Sequence, residues 1–189
     1  MTAGSEPKDA ERLLRDATAM LDGHFQLASG KHSSSYIEKF RLLEQPTQTE
    51  ALCRMIAEWA RPLGAELVAG PTTGGIIISY EVARLLRVRS IFAEPLNGGR
   101  AFQRGFTIAP GERVLVVDDV LTTGGSVREV LAAARTFGGN AIGVAVLVDR
   151  TGGTADFGVP FFACLTVDLP SYEPEQCPLC ADKVPLKVT

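Results

Sequence analysis

No Gly-Lys-Ser or Gly-Lys-Thr occurs in the chain, so a P-loop is excluded. No apolar run approaches the roughly 20 residues that a membrane-spanning helix needs. Basic residues are not in excess. Lys and Arg total 19 against 22 Asp and Glu, a formal net charge of −3, and bulk charge of that sign does not suggest a nucleic-acid partner. Residues 1–15 are polar and charged with no signal-peptide core, so the expected location is the cytoplasm. Lysine is missing between Lys39 and Lys183, which leaves arginine as the only strong cation through the middle of the chain.

Histidine and cysteine are also sparse. His24 and His32 are the two histidines, and the cysteines are Cys53, Cys164, Cys177 and Cys180. Cys53 falls in a helical pattern and Cys164 in a strand pattern, where each reads as a small buried hydrophobe. Cys177-Pro-Leu-Cys180 has the spacing of half a zinc site or of a redox pair. No second cysteine pair lies near it and the histidines are far away in sequence, so a zinc ribbon is unsupported; the pair reads as an ornament of an irregular tail, with a metal shared across a dimer as the alternative.

What the chain does contain is 46% apolar and 22% charged residues over 189 positions, enough for one domain with a full hydrophobic core. The most informative stretch is Val114-Leu115-Val116-Val117-Asp118-Asp119-Val120-Leu121-Thr122-Thr123-Gly124-Gly125-Ser126. Its apolar start reads as a buried strand of a parallel sheet. Its end reads as a loop opening a helix, where backbone N–H groups bind phosphate. Thr122, Thr123 and Ser126 add hydroxyls, and Gly124 and Gly125 admit close approach of a ligand. Two adjacent carboxylates would repel a bare phosphate. They suit a ligand that also carries a sugar diol and a metal-bound diphosphate.

Helical spacing is expected over Asp9–Leu21, Thr47–Trp59, Ile76–Leu86 and Ser126–Phe137. Strands are expected at Leu67–Ala69, Ser90–Glu94, Val114–Val117, Ala141–Val148 and Phe161–Val167, with hairpins at Phe25–Phe40 and Phe106–Gly111 and an irregular tail after Pro170. Alternating strands and helices imply an α/β fold, a parallel sheet with helices on both faces and ligands at the carboxyl ends of the strands. The loops Gly70–Gly75, Asp118–Ser126 and Asp149–Gly153 would meet there.

The Asp118–Ser126 segment resembles the phosphoribosyl-pyrophosphate (PRPP) motif of the type I phosphoribosyltransferases. The segment Phe25-x-Leu27-x-Ser29-Gly30-x-x-Ser33-x-x-Tyr36, together with Asp149-Arg150, resembles the orotate phosphoribosyltransferases. The likeness covers about residues 10 to 170. It implies a type I phosphoribosyltransferase-like sheet in a single domain over 1–189, with a small N-terminal/C-terminal hood drawn mainly from about 1–40. The activity it implies is orotate plus PRPP giving orotidine 5′-monophosphate and pyrophosphate, in de novo pyrimidine synthesis.

The site residues follow from the same resemblance. Asp118 and Asp119 would hold the ribose diol. Leu121, Thr122, Thr123, Gly124, Gly125 and Ser126 would hold the 5-phosphate, and Thr72, Thr73, Gly74 and Gly75 the pyrophosphate. Ser29, Lys31, Tyr36, Thr122 and Arg150 would hold orotate, with the Arg150 fork on its carboxylate. Mg²⁺ is the implied cofactor, held mainly by PRPP and through Asp118 and Asp119. A homodimer is implied in which loop 94–105 covers the neighbouring site. Some relatives carry a lysine in that loop. Here Arg100 and Arg104 are its only cations, and they are the catalytic candidates beside the two acids. Some orotate enzymes also carry a lysine where this chain has Ala28, leaving Lys31 or Lys39 to compensate. Two other readings share the PRPP half: a phosphoribosyltransferase for a purine or another base, and a PRPP-sensing regulator without catalysis.

Overall fold

The structure, a computed structural model, describes residues 7–27 and 29–189; Ala28 lies outside them. The chain runs α1 (Pro7–Asp16), β1 (Met20–Gln26), β2 (His32–Ile37), α2 (Lys39–Leu43), α3 (Pro46–Ala60), β3 (Leu67–Pro71), α4 (Gly74–Leu86), β4 (Arg89–Leu96) and β5 (Gly99–Phe102). It continues through β6 (Arg113–Leu121), α5 (Gly125–Thr136), β7 (Asn140–Asp149), β8 (Phe161–Thr166), β9 (Ser171–Tyr172), α6 (Pro178–Ala181) and β10 (Lys187–Val188).

The main sheet has the order β5-β4-β3-β6-β7-β8. All its pairings are parallel except β4 with β5. Strand β6 shows why it lies at the centre. Val114 and Val116 face one apolar cluster with Val127, Val130 and Leu131 of α5. Leu115 and Val117 face the other, with side chains of α1, α3 and α4. A strand covered on both faces has no polar side, so its sequence is a continuous apolar run. After β3 the chain winds toward β4, whereas after β6 it winds toward β7. The direction therefore reverses between β3 and β6, and the loops leaving them diverge and open a crevice at their carboxyl ends.

Above that crevice is a second, four-stranded sheet of order β10-β1-β2-β9, the hood. Hairpin β1–β2 is its centre, and the tail strands β9 and β10 pair along its two edges. The hood is therefore built from both ends of the chain, over 20–37 and 171–188.

Four sequence expectations change. The first helix ends at Asp16, and Thr18 turns the chain at φ 51° so that Met20 and Leu21 enter β1 opposite Ile37 and Tyr36. Cross-strand pairing outcompetes the helical spacing there. The expected hairpin at Phe106–Gly111 is absent, and Phe106 instead packs edge-on to Phe92 at 5.1 Å. The antiparallel hairpin lies earlier, as β4–β5, closed by Asn97 and Gly98 at φ 50° and 80°, the backbone that an Asn-Gly turn supplies. The tail after Pro170 carries two short strands and a helical turn rather than none. Cys53 and Cys164 are buried as expected, which pushes both thiols up.

Candidate active site

The carboxyl end of strand β6 delivers Asp118 and Asp119 to the crevice, 8% and 2% exposed. Asp118 Oδ1 accepts the Asp119 N–H at 2.8 Å, and Asp119 Oδ1 accepts the Val120 N–H at 2.6 Å. These bonds fix both side chains before any ligand arrives. Burial, and then the neighbouring Asp119 charge, push the Asp118 carboxyl up to about 7; the Asp119 N–H, Lys39 and Arg100 pull the other way. Lys39, the first residue of α2, places its ammonium 3.0 Å from Asp119 Oδ2. It also donates a hydrogen bond to Oδ1 at 3.3 Å.

The loop from β3 into α4 passes beside the acids. Thr73 sits at the start of α4 and supplies no side-chain cap, so the first N–H groups of that helix are open to an anion. Gly74 has a packing reason, since a Cβ there would collide with the Asp119 carboxylate. Arg100 holds the same loop from beneath. Its Nη1 donates to Thr72 Oγ1 at 3.0 Å, and its Nε lies 3.3 Å from Glu129.

The loop from β6 into α5 has the same design. Gly124 takes φ 80° at the start of α5, again with no side-chain cap, and the Thr122 and Ser126 side chains face the cleft. The third loop follows β7. Asp149 is fully buried and accepts N–H bonds from Thr151 at 2.7 Å and Gly153 at 3.1 Å. The Arg150 N–H donates to Leu121 O at 2.9 Å, which fastens this loop to the end of β6. The Arg150 side chain lies half-buried in the cleft with its Nε unpaired, and desolvation lowers its pKa against the favourable field of Tyr36. A desolvated cation with no counterion among the described residues is arranged to receive an anion.

Together these groups line an open cleft of about 410 Å³. From the expected residues it gathers Thr72, Thr73 and Gly74, then Asp118 and Asp119, then Thr122, Ser126, Tyr36 and Arg150. The other candidates lie elsewhere. Gly75 is buried behind the loop, Leu121 is 1% exposed in the core, and Thr123, Gly124 and Gly125 form the turn without lining the cleft. Ser29 is exposed near the hairpin tip and Lys31 pairs with Glu173 at 2.9 Å, both outside the lining. Arg104 is exposed on the β4–β5 hairpin, forked onto Glu94 at 2.7 and 2.9 Å. Lys39 takes the position in the cleft that the sequence reading left between two lysines. Glu38 and Phe40, which that reading did not single out, line the cleft beside it.

Comparison with known proteins shows the family. Residues 43–168 match the family described as "Phosphoribosyl transferase domain". An orotate phosphoribosyltransferase of Pelotomaculum thermopropionicum is 53% identical over 167 residues, 88% of each chain. This chain belongs to the orotate phosphoribosyltransferase family. A second such enzyme, from Thermotoga maritima, is 47% identical over 175 residues, covering 93% of this chain and 94% of its own. Among solved structures, orotate phosphoribosyltransferase from Aeropyrum pernix superposes with a TM-score of 0.72 at 29% identity. It covers 82% of this chain and 92% of that one. The family match begins at residue 43, after most of the hood, whereas the longer matches take in the hood hairpin as well.

Proposed function

We propose that this chain transfers the phosphoribosyl group of PRPP to orotate, releasing pyrophosphate and orotidine 5′-monophosphate. The observation that carries the reading is the convergence of three anion-directed features on one cleft. They are the open start of α4, the open start of α5 and the counterion-free Arg150, with two buried carboxylates between them. A diphosphate, a monophosphate, a sugar diol and a carboxylate match that set group for group.

In the reaction the bond from the ribose anomeric carbon to the pyrophosphate oxygen breaks, and a bond to the orotate ring nitrogen forms. The pyrophosphate leaves with the electron pair, the proton of the orotate ring nitrogen passes to water or to the departing pyrophosphate, and the sugar passes through oxocarbenium character. Asp118 and Asp119 would accept the diol hydroxyls and stabilise the positive charge on the ring. The starts of α4 and α5 would grip the pyrophosphate and the 5-phosphate. Arg150 would orient orotate through its carboxylate, so that much of the rate comes from positioning. Lys39 holds the Asp119 carboxylate in place.

Mg²⁺ suits the donors present. The carboxylates of Asp118 and Asp119 and the hydroxyl of Thr72 are hard oxygen donors at the cleft. Those acids would hold the ion together with the diphosphate, and its charge would stabilise the leaving group. The reading extends to a cytoplasmic homodimer. No described helix is long and apolar enough to cross a membrane. Helix α4 exposes Ile77 and Tyr80 beside an apolar groove, a surface suited to a second copy. In that dimer the β4–β5 hairpin, with Arg104 at its base, is the element offered to the neighbouring cleft.

The test is a panel of bases with PRPP and Mg²⁺. Loss of orotate absorbance with stoichiometric pyrophosphate, and no turnover of adenine, hypoxanthine or uracil, is the expected result. Turnover of a purine in preference to orotate would overturn the reading.

A further inference from the structure

The hood has an unusual interior. Apart from Ile37, which packs into the main core, the buried side chains among the described residues of 20–37 and 171–189 are His24, Phe25, His32, Ser33 and Cys177. Polar groups buried this way need bonding partners. Ser33 finds one in Pro170 O at 3.0 Å. The two histidines instead converge with Cys177 and Cys180, and the four candidate ligand atoms lie within 4.8 Å of one another. Sequence separation hid this cluster: the histidines come from the hairpin and the Cys-x-x-Cys from the tail, 145 or more positions later. The reading of that pair as an irregular tail is thereby corrected.

We propose that His24, His32, Cys177 and Cys180 form a structural Zn²⁺ site that fastens the C-terminal tail to the hood. Bonds of about 2.0–2.1 Å to nitrogen and about 2.3 Å to sulfur put tetrahedral ligand atoms about 3.3 Å apart for two nitrogens and about 3.6 Å for nitrogen and sulfur. The observed edges are 3.0 Å for His24 Nε2 to His32 Nδ1, 3.5 and 3.7 Å for His24 Nε2 to the two sulfurs, and 3.3 Å for Cys180 Sγ to His32 Nδ1. These four of the six edges lie within about 0.4 Å of the tetrahedral values, and the other two, from Cys177 Sγ to His32 and to Cys180, are no longer than 4.8 Å.

The tautomer of His24 agrees. Its Nδ1 lies 2.8 Å from Val184 O. A carbonyl only accepts, so Nδ1 carries the proton and Nε2 presents its lone pair to the cluster, the outer bond that metal-binding histidines make. Three polar atoms within 3.7 Å of that single lone pair are more than a hydrogen-bond network uses and suit a shared cation. The backbone is also shaped for the task. The β1–β2 register shifts between Asp22 and Phe25, and the resulting bulge turns His24 inward beside Phe25. A donor set of two nitrogens and two sulfurs with no open position suits a structural zinc rather than a catalytic one.

The site is independent of the orotate reaction, so the test reads metal and stability rather than turnover. Untagged full-length protein is purified without chelator, and its metals are measured by plasma mass spectrometry. About one Zn²⁺ per chain is expected in wild type, falling to background in Cys180→Ser and His32→Ala. Should those variants fail to fold, the wild-type chain carries the test alone. A strong chelator should release its zinc and lower its melting temperature, and added Zn²⁺, but not Mg²⁺, should restore it. Metal-free protein with four free thiols, a Cys177–Cys180 disulfide, or a different metal at that stoichiometry would overturn the assignment.

Discussion

Lys39 and Asp119 meet 3.0 Å apart across the cleft, the first residue of α2 against the carboxyl end of strand β6. The carboxylate is 3% exposed and the lysine 37%, so one partner is dry and the other reaches water. Removing the lysine leaves a buried charge without its partner, while water around the vacated position moderates the loss. Lys39→Met is expected to lower stability by about 1–2 kcal/mol in urea unfolding and to reduce kcat/KM for PRPP more than tenfold. An unchanged kcat/KM would confine the pair to the fold.

Asp119→Asn keeps the shape of the side chain and its acceptor oxygen while removing the charge. Turnover should fall by about 10²-fold or more, the scale of losing one preorganised electrostatic group. The melting temperature should move little. Steady-state rates and a thermal melt on the same preparation separate the two effects.

Arg150→Ala should raise KM for orotate at least tenfold and leave the affinity for PRPP within about twofold, since a charge-assisted bidentate bond is worth more than a neutral one. Equilibrium binding of each ligand alone is the direct measurement. Equal weakening of both would mean that Arg150 shapes the cleft as a whole.

Asp118 has a signature in pH. Its carboxyl is raised in the folded state from 3.8 to about 7. Between those values the folded chain holds a proton that the unfolded chain has released, so stability falls as pH rises from about 4 to about 7 and levels off above. Asp118→Asn removes this dependence. Without ligands the variant should be more stable than wild type at pH 8 by about 2–4 kcal/mol, and the advantage should vanish below pH 4. Parallel unfolding curves across the range would refute it.

Gly74→Ala forces a methyl group into the Asp119 carboxylate. Overpacking of that kind costs about 1–3 kcal/mol, and the displaced loop is the one assigned to pyrophosphate. PRPP affinity should drop more than orotate affinity in isothermal titration.

Much of this was written locally in the chain. The Val114–Val117 run and the acids after it announce a central strand with a ligand loop, because a strand buried on both faces cannot alternate. The Asp149–Gly153 loop was legible because it follows a strand, whereas the role expected of Arg150 came only with the family resemblance. The hood was harder to read. Met20–Gln26 mixes Asp22, Gly23 and His24 with apolar residues and becomes a strand through its pairing with β2. Lys39 could not be told from Lys31 as the compensating lysine, since its partner lies 80 positions away. Arg100 looked like a mobile loop cation, but the Asn97-Gly98 turn folds it into β5, where it pins Thr72. Wherever the decisive partner was distant in sequence, residue type alone could not choose.

The bond from Arg150 N–H to Leu121 O has a geometric corollary. Strands β3, β6 and β7 stand side by side, and adjacent strands are spaced by about 4.7–4.9 Å whatever their side chains. If pyrophosphate, sugar and base each rest on the end of one of those strands, the gap between the two reactants is metered by the peptide lattice itself. Repacking beneath the sheet could then alter how firmly the substrates sit, but it would leave their mutual alignment almost untouched.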